Sequence, residues 1–219
     1  MIALGINQIS KAALQRLPTY VTYLKSLPAD APDHISATAI AAALGLGEVQ
    51  VRKDLAAATT GGRPKVGYVV KNLIKELDQF LGFNSLSEAV LVGCGKMGRA
   101  VLDYRGFSCY GLKIVAGFDI DPALVGSSSS GKKILPMQKL KGVCTCNNIR
   151  LAVIAVPEDQ AQAVCDELVA CGIRGIMNIA PVHLNVPAGV VVRYENLAIE
   201  MALLAGQVET RFQEERLVK

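Results

Sequence analysis

The sequence has no tryptophan, only two histidines and no pair of cysteines in a C-x-x-C spacing. Its six cysteines are scattered, and the lone C-x-C from Cys144 to Cys146 is a weak metal signal, so reduced thiols are the simpler interpretation. There is no run of about 18 apolar residues for a membrane span, and the first ten residues do not resemble a signal peptide. We therefore expect a cytoplasmic protein without a disulfide framework, a metal site or a membrane anchor.

The positive charge is concentrated at one end of the chain. The 219 residues carry a net charge of +4 and are 51% hydrophobic, which suits one or two domains with a sizeable core. Residues 1–82 hold nine Lys and Arg against six Asp and Glu, whereas the other 137 residues are nearly balanced, with fourteen against thirteen. A positive net charge in residues 1–82 is expected of an N-terminal domain that contacts phosphates.

Apolar residues at spacings of three and four predict a first helix over residues 8–26. Ser36 is a candidate N-cap for a second helix over residues 37–44. A turn containing Gly45 and Gly47 separates it from a third helix over residues 48–58. Two helices joined by a short glycine-containing turn are typical of the helix-turn-helix motif.

The third helix has the side chains of a DNA recognition helix. Val51 and Leu55 share one face and are expected to pack inward, with Arg52 to the side. The opposite face is predicted to carry Gln50, Lys53, Asp54 and Ala57. Cations suit guanine and phosphate, and an amide suits adenine. An ordinary amphipathic helix with a solvated charged face fits the same pattern equally well.

A loop over residues 59–70 contains Gly61, Gly62, Arg63, Pro64 and Lys65. Two cations on a glycine- and proline-bearing loop that ends in a short strand are typical of a wing, which reaches the backbone or minor groove of DNA. A further helix is predicted over residues 71–81. Residues 1–82 are therefore predicted to form a winged-helix DNA-binding domain.

Three glycines follow a predicted strand over residues 89–92 and precede a helix-like run over residues 99–104. In the spacing G-x-G-x-x-G, Gly93 permits the tight turn, Gly95 lets the backbone approach a pyrophosphate and Gly98 lets the helix pack on the strand. The helix N-terminus offers N–H groups to phosphates. This order predicts a dinucleotide site, although a glycine-rich turn without a ligand has the same local pattern.

Asp119 ends the next predicted strand, residues 112–118, and lies 26 residues after Gly93. Its carboxylate can accept hydrogen bonds from ribose hydroxyls and would repel a 2′-phosphate, which favours NAD(H) over its phosphorylated form. Alternating strands and helices continue to residue 195, and the serine run at 127–130 is expected to be a surface loop without function. The chain should thus be an α/β protein, with an N-terminal winged helix (1–82), a Rossmann-like doubly wound domain (83–195) and a long final helix (196–219).

The predicted nucleotide edge of this sheet has no clear acid–base group. His34 lies in the N-terminal domain, and His183 is expected to be a surface or packing residue. A cofactor site without such chemistry indicates sensing and no enzymatic turnover. The rival interpretation is a small NAD-dependent oxidoreductase, but it does not explain Arg52, Lys53 and the basic wing.

Motifs spread over nearly the whole chain carry a family resemblance. They are Arg16-Leu17-Pro18-Thr19-Tyr20, Gln50-Val51-Arg52-Lys53-Asp54-Leu55, Val66-Gly67-Tyr68, the glycine loop, Tyr104-Arg105-Gly106-Phe107, Phe118-Asp119-Ile120-Asp121-Pro122, Val156-Pro157 and residues 172–181. Together they resemble the Rex family of redox-sensing transcriptional repressors. The resemblance implies a homodimer on palindromic operator DNA, joined by an exchanged C-terminal helix. It also implies NAD(H) binding, with NADH releasing the protein from DNA.

The resemblance and the patterns together give two sets of candidate site residues. Those for DNA are Arg16, Ser36, Gln50, Arg52, Lys53, Arg63, Lys65 and Tyr68. Those for the cofactor are Gly93, Cys94, Gly95, Lys96, Met97, Gly98, Tyr104, Asp119, Val156, Pro157, Asn178, Ala180 and Pro181.

The chain departs from the family at positions that concern the ligand response. Lys96-Met97 replaces the usual Asn-Leu of the glycine loop, and Thr22 and Asn196 replace an arginine and an aspartate found in many members. A neutral pair is weaker than a charge-assisted one, which predicts weaker coupling between NADH and DNA release. A Rex-like paralogue with an altered nucleotide response, or one that holds another nucleotide such as a CoA, remains the alternative.

Overall fold

The computed structural model describes residues 9–63 and 66–217, without the side chains of residues 214, 215 and 217. The chain divides between Leu86 and Ser87 into two compact units. Within the described ranges, no helix is both long and apolar enough to cross a membrane.

In its described residues, the first unit contains four helices and a small antiparallel pair of strands. Its elements are α1 (Lys11–Lys25), β1 (His34–Ile35), α2 (Ala37–Leu44), α3 (Glu48–Ala58), β2 (Tyr68–Val69) and α4 (Val70–Leu81). The predictions for α2 and α3 are confirmed to the residue, and the Ser36 hydroxyl caps α2 by accepting from the Ala39 N–H at 3.0 Å. The predicted start of α1 at residue 8 lies outside the described residues.

The core of the first unit lies where α1, α3 and α4 meet. Leu17, Leu55 and Leu77 are fully buried there, and Val51 points inward as predicted. β1 pairs with β2, and the backbones of Arg63 and Gly67 exchange two hydrogen bonds of 2.9 Å. The wing therefore has an ordered base, while its predicted cation Lys65 lies outside the described residues.

The second unit alternates strands and helices. Its elements are β3 (Ser87–Val92), α5 (Lys96–Asp103), β4 (Leu112–Asp119), β5 (Ser128–Ser129), β6 (Lys132–Pro136), α6 (Leu140–Cys146), β7 (Leu151–Ile154), α7 (Glu158–Ala170), β8 (Gly175–Asn178), β9 (Val191–Tyr194) and α8 (Leu197–Leu217). Two 3-10 helices, Arg105–Tyr110 and Met137–Lys139, precede β4 and α6.

The strands form one sheet in the order β5-β6-β4-β3-β7-β8-β9. All neighbours are parallel except β5, which is antiparallel to β6. Without β5, this is the strand order of the doubly wound dinucleotide-binding fold. Its switch point, where the chain changes direction across the sheet, lies between the carboxyl ends of β3 and β7.

One segment of this unit differs from the sequence-based expectation. The serine run is not a simple loop, because Ser128 and Ser129 form β5, and the Ser129 hydroxyl donates to the Asp103 carboxylate at 2.7 Å. This bond to a residue 26 positions earlier is not indicated by the serine run itself. The short helix α6 buries Leu140 and Cys144.

Candidate functional site

The exposed surface of α3 carries three of the eight predicted DNA contacts. Gln50, Arg52 and Lys53 are exposed, as expected for side chains that meet DNA. Arg52 forms an ion pair with Glu48 one turn earlier. This pair is exposed, so it restrains Arg52 only weakly and leaves it available to a phosphate or a guanine.

Asp54 does not lie on this exposed face, which corrects the prediction from sequence. It is buried at 6% exposure, where its carboxylate accepts two hydrogen bonds from Arg16, at 2.8 and 2.9 Å. The Tyr20 hydroxyl donates to the same carboxylate at 2.7 Å. Burial, and then the bond to Asp54, raises the pKa of Tyr20 to about 12. The three side chains join α1 to α3.

The sequence predicts that Arg16 contacts DNA, and in the structure its side chain is bonded to Asp54. Its side chain retains 23% exposure, whereas that of Asp54 retains 7%. The hydrogen bond to Asp54 raises the pKa of the Arg16 guanidinium, which stays charged. Its role at DNA remains a prediction, and its role in orienting α3 is visible in the geometry.

A concave surface of 450 Å³ lies between α3, the start of α2 and the wing. Ser36, Arg52, Arg63 and Tyr68, four of the predicted DNA residues, line it. The Ser36 hydroxyl is engaged in capping, and the Tyr68 ring is buried at 9% exposure under the backbone of Gly62. Arg52 and Arg63 are therefore the exposed cations of this surface.

The glycine loop joins β3 to α5 with the geometry that the spacing predicts. Gly93 has φ +93°, and a Cβ there would lie 2.6 Å from the Ala155 carbonyl oxygen of the neighbouring strand end. A Cβ on Gly98 would overlap the Gly93 carbonyl. A Cβ on Gly95 would meet no atom of the described residues within 4 Å beyond its chain neighbours. The open side of Gly95 is where a pyrophosphate can approach the backbone.

Asp119 and the glycine loop are held together at the end of β4. One carboxylate oxygen of Asp119 accepts the Cys94 N–H at 2.6 Å, and the other accepts the Asp121 N–H at 2.9 Å. The carboxylate is thereby fixed beside the loop, with further lone pairs available to hydroxyl groups. The Cys94 thiol points into the core, where burial raises its pKa to about 11, so only the backbone of Cys94 can meet a ligand.

A cavity of 440 Å³ opens at the carboxyl ends of β3, β4 and β7. The predicted site residues that line it are Gly93, Gly95, Asp119, Val156 and Pro157. Lining residues outside the candidate cofactor set are Val92, Ile120, Asp121, Leu124, Met137, Ala155, Gln160, Ala163, Val164 and Glu167. The cavity thus has a polar edge at β4 and a wall formed by α7.

The other predicted cofactor residues do not line this cavity. Tyr104 is 61% exposed and packs edge-on against Phe107, with ring centroids 5.3 Å apart. Asn178 is fully buried, and its amide donates to the carbonyls of Ala180 and Val182 at 3.1 and 2.8 Å. It fixes the turn after β8. Lys96, Met97 and Pro181 are exposed at the same sheet edge, on the α5 and β8 sides.

Comparison with known proteins finds a family-model match in each of the two units. The family model "CoA binding domain" matches residues 84–182, and "Putative DNA-binding protein N-terminus" matches residues 8–56. A protein of Porphyromonas gingivalis named redox-sensing transcriptional repressor Rex is 34% identical over 204 residues, covering 93% of this chain and 94% of the relative. A protein of the same name from Carboxydothermus hydrogenoformans is 39% identical over 197 residues, covering 90% and 95%. The chain belongs to the Rex family.

Solved structures of RSP, a Rex-family repressor, share the fold over almost the full length. The crystal structure of RSP in complex with NAD+ and operator DNA superposes with a TM-score of 0.87 at 27% identity, covering 95% of this chain and 96% of that one. The complex of RSP with NADH gives a TM-score of 0.85 at 27% identity. The winged helix and Rossmann-like sheet expected of the Rex family are confirmed.

Proposed function

We propose that this chain is a transcriptional repressor that binds operator DNA and senses the ratio of NADH to NAD+, with NADH weakening its hold on the operator. One observation carries the proposal. The same chain contains an exposed cationic helix and wing, and a glycine loop at the switch point of a doubly wound sheet. Its relatives bear the name of redox-sensing repressors, and one was crystallised with NAD+ and operator DNA. Such a protein works in the cytoplasm, where bacterial operator DNA is found.

The cofactor that fits the cavity is NAD(H). The glycine loop offers backbone N–H groups at the start of α5 to a pyrophosphate, and Asp119 stands beside it for the adenosine ribose. The fixed carboxylate would repel the 2′-phosphate of NADP(H). We infer that no reaction is catalysed, because His183 stacks on Tyr194, with ring centroids 5.1 Å apart, and His34 lies in the winged-helix unit.

The test is operator affinity, by fluorescence anisotropy, at saturating NAD+ and at saturating NADH. We expect NADH to weaken binding several-fold, toward the lower end of the roughly 5–150-fold span of allosteric coupling. The lower end is expected because Thr22 and Asn196 replace a charged pair, and the Asn196 side chain instead caps α8 by accepting from the Ala198 and Ile199 N–H groups. Equal operator affinities at saturating NAD+ and at saturating NADH would favour the alternative interpretation, a Rex-like paralogue with an altered nucleotide response.

A glycine pair gives the matched variants for this test. Gly95→Ala fills the open approach to the loop, so we expect NADH affinity to fall at least about tenfold and operator affinity to become independent of NADH. Gly142→Ala, in α6, also adds a methyl group in open space and should keep the response. If Gly95→Ala responds to NADH like the unmodified protein, the cofactor does not bind at the glycine loop.

Lys53 and Arg52 on α3, with Arg63 and Lys65 on the wing, are proposed to contact DNA phosphates. Lys53→Ala removes one such contact, so we expect weaker operator binding and a salt slope reduced by about one. Titration at several salt concentrations measures both quantities. Lys11→Ala, which removes an exposed cation at the start of α1, is the control and should change neither. An unchanged slope for Lys53→Ala would contradict the docking of α3 on DNA.

We also propose a homodimer through exchange of α8. All described side chains of this helix are exposed, and Leu197, Met201, Leu204 and Val208 form an apolar stripe at spacings of four, three and four. One face of β7–β9 packs on α7, while the other lines an apolar cavity of 530 Å³ that includes Leu151, Val153 and Met177. A doubly wound sheet is covered on both faces, so a helix from a second copy supplies a suitable cover.

A further inference from the structure

Glu76, on α4, holds the base of the wing. One oxygen of its carboxylate, Oε2, accepts the backbone N–H groups of Thr60 and Gly61, at 2.8 and 3.3 Å. These residues lead from the end of α3 into the wing, whereas Glu76 lies on the helix that follows the wing's second strand. The carboxylate therefore ties the two ends of the wing to each other.

The sequence at the wing base is shaped to admit this carboxylate. A Cβ on Gly61 would lie 2.8 Å from the nearer Glu76 oxygen, so only glycine leaves the side chain its present position without a shift. Just before it, Thr59 ends α3 with its N–H and its hydroxyl both bonded to the Leu55 carbonyl at 2.8 Å. Three consecutive residues of the connection are thus bonded to helices of the unit.

The wing base is not packed tightly against α4. A cavity of 270 Å³ lies between the wing and α4, lined by His34, Arg63, Val66 and Asn72 together with Glu76. The paired backbones of Arg63 and Gly67 hold the two arms to each other but do not fix the direction of the hairpin. The bonds to Glu76 supply that direction on the side of the incoming arm.

We propose that Glu76 is a positioning residue for DNA binding: it pre-organises the base of the wing so that Arg63 meets the DNA without first being ordered. This inference rests on the proposed DNA-binding function. Pre-organisation raises affinity because the ordering cost is removed from the binding step. The role is unexpected on charge alone, because an acid near the DNA surface repels phosphates and its removal should strengthen binding.

Two variants of Glu76 separate positioning from charge. Glu76→Gln removes the charge but keeps an oxygen that can accept both N–H groups, since both donate to one oxygen. Glu76→Ala removes the charge and the acceptor. We expect operator affinity to fall about tenfold in Glu76→Ala and to stay within about twofold, or rise, in Glu76→Gln. The salt slope of Glu76→Ala should also fall by about one to two as wing contacts are lost.

The controls keep this test independent of folding and of the proposed function. Asp30→Ala removes an exposed acid from the same unit without touching the wing, and reports the effect of charge. Circular dichroism and thermal unfolding of each full-length variant show that the unit is folded, and amide exchange of residues 60–63 should accelerate in Glu76→Ala alone.

If the unmodified protein does not bind an operator, the proposed function fails. If it binds and Glu76→Ala binds equally well or more tightly, with unchanged salt slope, the positioning role is wrong.

Discussion

Asp54→Ala is expected to lower the free energy of unfolding of the winged-helix unit by about 3 kcal/mol or more. The substitution leaves the Arg16 guanidinium and the Tyr20 hydroxyl without the carboxylate that accepts three hydrogen bonds from them. Because Arg16 is partly exposed, water recovers some of the loss, which places the effect at the low end for a broken buried pair. Urea denaturation followed by circular dichroism measures it, and Asp30→Ala, which removes an exposed acid, should cost little.

The same network allows the predicted DNA role of Arg16 to be tested separately from its structural role. In the double variant Arg16→Met with Asp54→Leu, apolar side chains replace the ion pair, so part of the stability lost in Asp54→Ala should return, although the Tyr20 hydroxyl still lacks its acceptor. If Arg16 also contacts a phosphate, the double variant should bind the operator with a salt slope reduced by about one. An unchanged slope would show that Arg16 only orients α3.

The misplacement of Asp54 shows where a sequence pattern loses information. Periodicity placed Val51 and Leu55 in the core correctly, because apolar side chains identify a buried face by themselves. A carboxylate is placed outside by default, since burial is costly unless a partner is present. Here the partner, Arg16, lies 38 residues earlier on another helix, and nothing local to α3 indicates the pairing.

The glycine loop was predictable because its spacing determines local backbone geometry. Gly93 adopts a positive φ and Gly98 packs against its carbonyl, as the motif requires, and Asp119 stands at a strand end that the apolar run identifies. The far wall of the cavity was not predictable in the same way. Gln160, Val164 and Glu167 line it from α7, and their orientation depends on how that helix packs.

The serine run gives a further example of structure fixed by a distant contact. Four serines and a glycine have low strand propensity and favour a loop. Pairing with Lys132 and Lys133, and the bond from Ser129 to Asp103 at the end of α5, nevertheless order a short strand there. The start of the final helix was located correctly to within one residue, and its apolar stripe is exposed in the single chain.

Replacing two residues of that stripe is expected to have the largest effect on DNA binding. In the variant Met201→Asp with Leu204→Asp, an exchanged α8 would have to bury two carboxylates without partners. Each costs several kcal/mol, so we expect the dimer dissociation constant to rise more than about a hundredfold. Light scattering and sedimentation at micromolar concentration should then show a monomer, whereas the unmodified protein should be a dimer with or without NAD+.

Dissociation should carry over to the operator because a palindrome is bound by two linked recognition helices. A monomer binds one half-site only. It lacks the linked second recognition helix, which binds its half-site at a high effective concentration, so operator affinity should fall by a factor of about 10²–10⁴. Thr210→Asp with Gln213→Asp adds the same charge to the opposite side of α8, in its polar half, and should leave the dimer and the operator complex intact. If the stripe variant remains dimeric and binds the operator normally, α8 is not the interface, and another surface must cover the open face of the sheet.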